Sequence, residues 1–227
     1  MARKNERRAD ALSHERIVDA AIEILDTDGE NALTFRALST RLATGSGAIY
    51  WHVRNKSELL GAATDGVVTR ILADTADEAS PRASITTTAL ALFDAIDARP
   101  WIGAQLAREI GQMATARILE VFGTQVRALG VPDRALFDAT SALVSFVLGA
   151  AGQNAANAAN ARLHGNETDR TTALASVAHR WTELDPARFP FLHRIAAQVP
   201  GHDDRMQFLA GVDYLLAGIE SRVSQQR

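Results

Sequence analysis

An all-α fold is predicted by three features of this sequence. Alanine and leucine, which favour helices, are abundant along the chain. Apolar residues recur at three- and four-residue spacing, whereas no segment shows sustained two-residue alternation bounded by turn residues. Prolines fall between the helical patterns, where they interrupt no helix. The 227 residues suffice for one large helical domain, or for a small domain followed by a larger one.

The first helix is predicted to begin after Ser13, because serine is a favoured N-cap. The sequence DTDGEN ends this helix, and Gly29 suits the left-handed backbone found at helix C-termini. Between these points apolar side chains lie on one helical face: Ile17, Ala21, Ile24 and Leu25.

Two short helices and a longer one are predicted next. Thr34 caps the second helix, which ends near Leu42. The tight connection ATGSG then leads to a third helix over about 46–52. Asn55 caps the fourth helix, and Glu58 stands three residues further on, as a capping box requires.

The fourth helix ends near Ala73, and the polar stretch DEASPRAS is predicted to form a loop. Beyond it the helices become longer and more apolar. They are predicted over 84–98, 101–110, 112–129, 133–163, 168–184 and 203–223. The breaks between them hold the remaining prolines: Pro100, Pro132, Pro186, Pro190 and Pro200.

Composition excludes several classes of protein. The chain has no cysteine, which rules out disulfides, cysteine–zinc sites and a thiol nucleophile, and favours a cytoplasmic location. No apolar run reaches the ~18 residues of a membrane span, so we expect no membrane association, and the N-terminus lacks the apolar stretch of a signal peptide. The net charge is −3, so any nucleic-acid contact must come from a local patch.

The stretch TFRALSTRLATGSGAIYWHVRNKSELL, which begins at Thr34, carries the clearest functional signal. Two short helices joined by a glycine-containing turn are typical of a helix-turn-helix. The second helix of that motif enters the DNA major groove with its N-terminal end foremost. The small residues at 45–48 let such a helix approach base edges closely, and Ile49 is expected to anchor it to the preceding helices.

Polar and cationic side chains around this helix are suited to DNA. Tyr50 and His52 can reach phosphate oxygens on the groove walls. Lys56 adds its charge to the positive end of a helix dipole, which also attracts phosphate. Arg36 is long enough to contact a guanine edge or the backbone. Trp51 either packs beneath the motif or lies against the DNA backbone. The alternative interpretation is that Tyr50 and Trp51 are core residues and that Lys56 is a solvated charge.

Residues 13–60 resemble the DNA-binding domain of the tetracycline-repressor (TetR) family, and GAIYWHVRNKSELL is similar to the branch that contains the tetracycline repressor. The last helix, FLAGVDYLLAGIESRV, resembles the C-terminal helix of that branch. The resemblance implies nine or ten helices, a homodimer, and a repressor that a small molecule releases from its palindromic operator. It also implies a set of DNA-facing residues: Thr34, Arg36, Ser46, Gly47, Tyr50, Trp51, His52 and Lys56. The small residues at 45–48 replace larger polar groups, so a different operator is expected.

Two apolar stripes, on helix 133–163 and on the last helix, are candidates for a dimer interface. A two-fold operator requires two recognition helices about one DNA turn apart. The alternative is that the stripes pack within one subunit. The resemblance suggests that these two helices form a four-helix bundle with their counterparts in a second copy. The candidate residues are Val144, Leu148, Ala151, Ala155, Phe208, Val212, Leu215 and Ile219.

A small-molecule pocket is predicted in the larger domain, residues 61–227. Phe146, Gln153, Asn157 and Asn160 project within about 60° of a common direction, given 3.6 residues per turn. An aromatic ring beside amides is a mixture that ligand sites use. Opposite walls are expected from Trp101 and Met113, unless these belong to the ordinary core and the amides face water. The uncharged stripe predicts a neutral or weakly polar, partly aromatic ligand.

Two other functional classes are open, a constitutive DNA-binding protein and a helical enzyme. The size of the larger domain argues against the first, because dimerisation needs fewer helices. Against the second, no two histidines have the i, i+4 spacing of a helical zinc site, and no phosphate-binding glycine loop is present. We therefore expect no catalytic residue, metal or cofactor. The basic N-terminal arm, residues 1–12, lies either in the minor groove or free in solvent.

Overall fold

The computed structural model describes residues 12–76, 78–108, 111–163 and 170–224, so the predicted basic arm lies almost wholly outside the described residues. The described residues form eleven α-helices and no strand, which confirms the all-α prediction. The helices are α1 His14–Asp28, α2 Phe35–Arg41, α3 Ser46–Tyr50, α4 Lys56–Asp74, α5 Pro81–Ala98, α6 Pro100–Arg108, α7 Met113–Ala128, α8 Asp133–Leu163, α9 Arg170–Thr182, α10 Pro190–Ile195 and α11 Asp204–Ser224. Two 3₁₀ helices cover Glu30–Ala32 and Ala196–Gly201.

The predicted helix caps in the N-terminal part are confirmed. Ser13, Thr34 and Asn55 each accept a hydrogen bond from the backbone N–H three residues further on, at 3.2, 3.1 and 2.8 Å. Each bond satisfies one of the N–H groups that a helix leaves unpaired at its start. Gly29, just beyond α1, has a φ of +78°, a backbone conformation that glycine adopts without steric cost.

Three prolines that were expected in loops or breaks instead begin helices. Pro81, Pro100 and Pro190 are the first residues of α5, α6 and α10. Proline suits that position, because the N–H it lacks would have no partner inside the helix. The six-residue helix α10 was missed altogether, since it is too short to show a helical period.

The N-terminal helices are held on a small core that α4 shares with the rest of the chain. Leu33, Leu38, Ile49 and Val53 are completely buried in this core. Helix α4 packs against α1 on one side and against α5, α6 and α7 on the other. The domain boundary predicted after residue 60 therefore lies inside one continuous helix.

The C-terminal part is built around α8, which packs against α5, α6, α7 and α11. Two glycines allow side chains of neighbouring helices to approach the backbone closely. A Cβ on Gly103 would lie 2.9 Å from Ile96, and one on Gly211 would lie 2.1 Å from the ring of Phe146. Contrary to expectation, one described stretch, Asp133–Asn160 of α8, is long and apolar enough to cross a membrane by those two criteria alone. In this fold part of the stretch packs against the neighbouring helices, through buried residues such as Leu143, Val147 and Ala151.

Candidate nucleic-acid interface

Helices α2 and α3 form the predicted helix-turn-helix. Leu38 of α2 and Ile49 of α3 are both fully buried, so each short helix is fixed by one apolar anchor. The turn between them places Ala43 at φ +49°, in the left-handed region that a residue with a side chain adopts only at some cost. Because α3 ends at Tyr50, the next two residues belong to the following turn rather than to the helix.

Large aromatic surface projects from the end of α3 into solvent. Trp51 is 90% exposed and Tyr50 is 53% exposed. Packing beneath the motif is thereby excluded for Trp51. A bulky ring held outside the protein has its apolar face available for an external partner.

The ring of Tyr50 is held in place by a residue that the sequence did not single out. It stacks on Phe35, the first residue of α2, with ring centroids 4.3 Å apart and ring planes 9° from parallel. This stack joins α2 to α3 beside the exposed tryptophan. The only sequence signal for it was an aromatic residue directly after the Thr34 cap.

Most of the other predicted DNA-facing residues are also exposed. Thr34, Arg36, Ser46, Gly47 and His52 are all open to solvent. The guanidinium of Arg36 has no partner among the described residues, so its charge is free for a ligand. A Cβ added to Gly47 would meet nothing within 4 Å, so nothing inside this chain requires glycine at that position.

Lys56 differs from the prediction, because its ammonium group already has an internal partner. Its Nζ donates to the backbone carbonyl of Glu30 at 2.6 Å, and the side chain is partly buried. This bond ties the start of α4 to the first 3₁₀ helix. Two ammonium protons are left for a phosphate, so Lys56 orients the motif and offers only part of its hydrogen-bonding capacity to DNA.

The start of α4 carries a modified capping box. The Glu58 carboxylate accepts from the backbone N–H of Arg54 at 2.8 Å and from its Nε at 3.2 Å, instead of from the cap residue itself. That backbone N–H, followed by the guanidinium, lowers the pKa of Glu58 below its ordinary value. The turn that carries Trp51 and His52 is thus closed by a charged hydrogen-bonded link.

Polar links join α1 and the first 3₁₀ helix to α6 and the residue before it. Asp26 of α1 accepts from Nε of Arg99 and from the indole Nε1 of Trp101, each at 2.9 Å. Arg108 donates to both carboxylate oxygens of Glu30 at 2.8 Å. These contacts bracket α6 at its two ends. Sequence reasoning missed them, because the partners are 73 to 78 positions apart.

The five residues predicted to line a ligand pocket do not come together. Trp101 is buried and bonded to α1, as described above, and Met113 is 59% exposed. Gln153 and Asn157 face solvent. The ring of Phe146 packs on the ring of Phe208 in α11, with centroids 5.8 Å apart. The helical period predicted that Phe146, Gln153 and Asn157 project from one side of α8. It does not identify the helix that packs against that side.

A different groove runs between α7 and α8. It has a volume of about 580 Å³, and its lining combines apolar, hydroxyl and charged side chains. Five residues define its chemistry: Leu119, Glu120, Arg127, Phe137 and Thr140. The groove is open to solvent, with Phe137 80% exposed at its edge.

The burial of the two predicted dimer stripes requires a correction of the predicted interface. Five of the eight residues are buried within the single chain, where they offer no surface to a second copy: Val144, Ala151, Ala155, Phe208 and Val212. The other three, Leu148, Leu215 and Ile219, are partly buried. The same two helices have solvent-facing sides made of other residues. They are Ala142, Ser145 and Gly149 on α8, and Met206, Ala210, Tyr214, Ala217 and Gly218 on α11.

Comparison with known proteins agrees with this architecture. The family model of bacterial regulatory proteins of the tetR family matches residues 17–63, and that of the tetracyclin repressor-like C-terminal domain matches residues 78–223. The chain is 30% identical to an HTH-type transcriptional regulator of Saccharopolyspora erythraea, over 95% of this chain and 88% of the relative. It is 29% identical to tetracycline repressor protein class D of Escherichia coli, over 94% and 91%. The solved structure of SCO7222, a TetR from Streptomyces coelicolor, is 52% identical, with a TM-score of 0.83 and coverage of 93% and 99%.

Proposed function

The chain belongs to the tetR family of bacterial regulatory proteins, and we propose that it is a cytoplasmic transcriptional repressor that binds a palindromic operator as a homodimer. A small molecule bound in the C-terminal part releases it from the operator. It is a regulator and not an enzyme.

The observation that carries this proposal is the exposed aromatic edge of the helix-turn-helix. Trp51 is almost fully open to solvent and stands beside Tyr50, whose ring is fixed on Phe35. An exposed aromatic pair on a motif that also carries the unpaired cation Arg36 suits the wall of a DNA groove. The apolar rings contact sugars, and the polar groups reach phosphates.

Dimerisation through the outward sides of α8 and α11 is supported by the size of the residues there. Ala142, Ser145 and Gly149 leave the surface of α8 without bulky side chains, so another helix can approach closely. Met206 and Tyr214 of α11 are 63% and 77% exposed and supply apolar area. This surface replaces the buried stripe as the proposed interface.

The groove between α7 and α8 is the proposed effector site. Its volume of about 580 Å³ is within the range of roughly 300–1,000 Å³ found for small-molecule sites. Helix α7 is linked to α4 by Arg117, whose Nε donates to Asp65 at 2.8 Å. A ligand that moves α7 can therefore move α4, and with it the recognition helix, if it binds the DNA-incompetent arrangement more tightly.

Selection from a pool of random DNA tests the proposal. The enriched sequences are expected to be inverted repeats whose half-sites lie about one helical turn apart. Enrichment of non-symmetric sequences, or no enrichment at moderate salt, would contradict it. The selected duplex then serves as the operator in all binding measurements below.

A further inference from the structure

The α7–α8 groove contains apolar surface that the chain leaves unused. Leu119 and Leu136 form its inner wall and are only partly exposed, whereas Phe137 is 80% exposed. Gly123 forms part of the floor, where the space that a side chain would fill lies 3.7 Å from Thr140. The groove therefore combines two leucines and an exposed aromatic ring with a glycine that adds no side chain of its own, which suits an apolar ligand.

Two opposite charges line the same groove. Glu120 and Arg127 are seven residues apart on α7, which is about 10 Å along a helix that rises 1.5 Å per residue. Neither side chain has an ion-pair or hydrogen-bond partner among the described residues. Arg117, on the same helix but outside the groove lining, is paired with Asp65. The unpaired charges are therefore those that face the groove.

We propose that the effector is a flat, largely apolar molecule with an anionic group at one end and a hydrogen-bond donor at the other, about 10 Å apart. The planar guanidinium of Arg127 binds the anion, because its geometry matches a carboxylate. Phe137 contacts the ring system, and Glu120 accepts from the donor. This inference rests on the proposed function and gives its effector a chemical class.

The ligand class differs from the neutral molecule that the sequence predicted. That prediction came from an uncharged stripe on α8, whose members Gln153 and Asn157 face solvent outside the groove. The charged residues of the actual groove lie on α7. They were not recognised because nothing in the sequence places α7 beside Phe137.

Three matched probes test the ligand class: 6-hydroxy-2-naphthoic acid, its carboxamide, and 2-naphthoic acid. Isothermal titration into the full-length protein is expected to give the highest affinity for the hydroxy acid. The carboxamide lacks the charge and should bind at least about tenfold more weakly, as expected for the loss of a charge-assisted hydrogen bond. 2-Naphthoic acid lacks the donor and should bind severalfold more weakly.

Variants of the protein test whether Arg127 binds the anionic group of the probe. Arg127→Gln should lower the affinity for the hydroxy acid about as much as replacing the acid by its carboxamide does. The affinity for the carboxamide itself should not change. Arg222→Gln, an exposed cation of α11 outside the groove, is the control and should bind like the parent. Unchanged circular dichroism and melting temperature will show that each variant is folded.

The outcomes separate this inference from the proposed function. Equal affinity for the acid and the carboxamide, no binding of the acid at millimolar concentration, or unchanged binding by Arg127→Gln would overturn the ligand class. If the parent in these samples still binds the selected operator, the proposed function stands. If the parent binds no specific DNA, the proposed function itself fails.

Discussion

The helix-turn-helix and the middle of α8 expose side chains of very different size. Helix α3 buries one anchor, Ile49, and the turn after it leaves Trp51 exposed. Over residues 142–149, α8 covers its large residues fully or partly and presents small ones, such as Ser145 and Gly149, to solvent. The first arrangement gives a protruding surface suited to a groove. The second gives a smooth surface suited to another helix.

An exposed side chain in the helix-turn-helix and a small residue between the C-terminal helices therefore serve different purposes. A lone exposed tryptophan on a well-anchored motif contributes to binding and little to folding. A glycine beneath a packed ring, as at Gly211 under Phe146, contributes to folding and lies far from the helix-turn-helix in sequence. Substitutions in the two parts should therefore separate operator affinity from stability.

The largest effect is expected from Trp51→Ala. Loss of a central aromatic contact should cost about 2–4 kcal/mol of operator binding, as for hot-spot residues. The melting temperature should not change, because the side chain is 90% exposed. Fluorescence anisotropy with the selected operator measures the affinity. Phe191→Ala, which removes a ring 66% exposed on α10, is the matched control and should bind like the parent.

The converse test is Gly211→Ala in α11. The new Cβ would lie 2.1 Å from the ring of Phe146, so either that ring must leave its place between the helices or α11 must shift away from α8. Overpacking of this kind costs about 1–3 kcal/mol of unfolding free energy. Gly61→Ala in α4, where a Cβ meets nothing within 4 Å, is the control and should be neutral or slightly stabilising. Urea denaturation measures both. Equal stability of the two variants would contradict the packing argument.

Asp26→Asn tests the link between the two parts. Asparagine keeps an acceptor but loses the charge that holds Arg99 and Trp101. Loss of a charge-assisted bond should cost about 1 kcal/mol, and the DNA-facing helices should be less firmly oriented on α6. We expect severalfold weaker operator binding. Asp19→Asn, which removes an α1–α4 ion pair with Arg70, is the control. If Asp19→Asn weakens operator binding as much as Asp26→Asn does, the link to α6 has no particular role in orienting the DNA-facing helices.

A smaller effect, of opposite sign, is expected from Ala43→Gly in the turn between α2 and α3. Glycine adopts φ +49° without the steric cost that alanine incurs. Part of that gain is offset by the greater freedom of glycine in the unfolded chain. The net expectation is a stabilisation of up to about 1 kcal/mol, seen as a higher melting temperature. A lower melting temperature would show that the turn conformation is not the limiting factor.

The smallest effect concerns the pH dependence of Glu58. Its pKa is lowered in the folded protein, so its hydrogen bonds stabilise the fold above the ordinary glutamate value of 4.5 and are lost as pH falls through the lowered value. The parent should melt higher than Glu58→Gln at pH 7, and the difference should shrink below pH 4.5. A difference that is independent of pH would exclude the charge as its cause.

Local sequence signals were sufficient for the helix caps of the N-terminal part. A cap residue acts on an N–H three positions away, and a glycine acts on its own φ, so Ser13, Thr34, Asn55 and Gly29 could each be recognised without knowledge of the fold. The helix-turn-helix followed from the spacing of these signals. Lys56 was assigned incompletely, because its carbonyl partner lies 26 residues away.

The sequence by itself determined that the chain is helical, where most helices begin and end, and which motif meets DNA. The tertiary structure alone decided which side of each long helix is covered. It buried Val144 and Phe208, turned Trp101 toward Asp26, and brought Phe137 and Arg127 into the lining of one groove. The physical reason is that the helical period fixes the angles between side chains on one helix, whereas the neighbour that each face meets depends on the packing of all the helices at once.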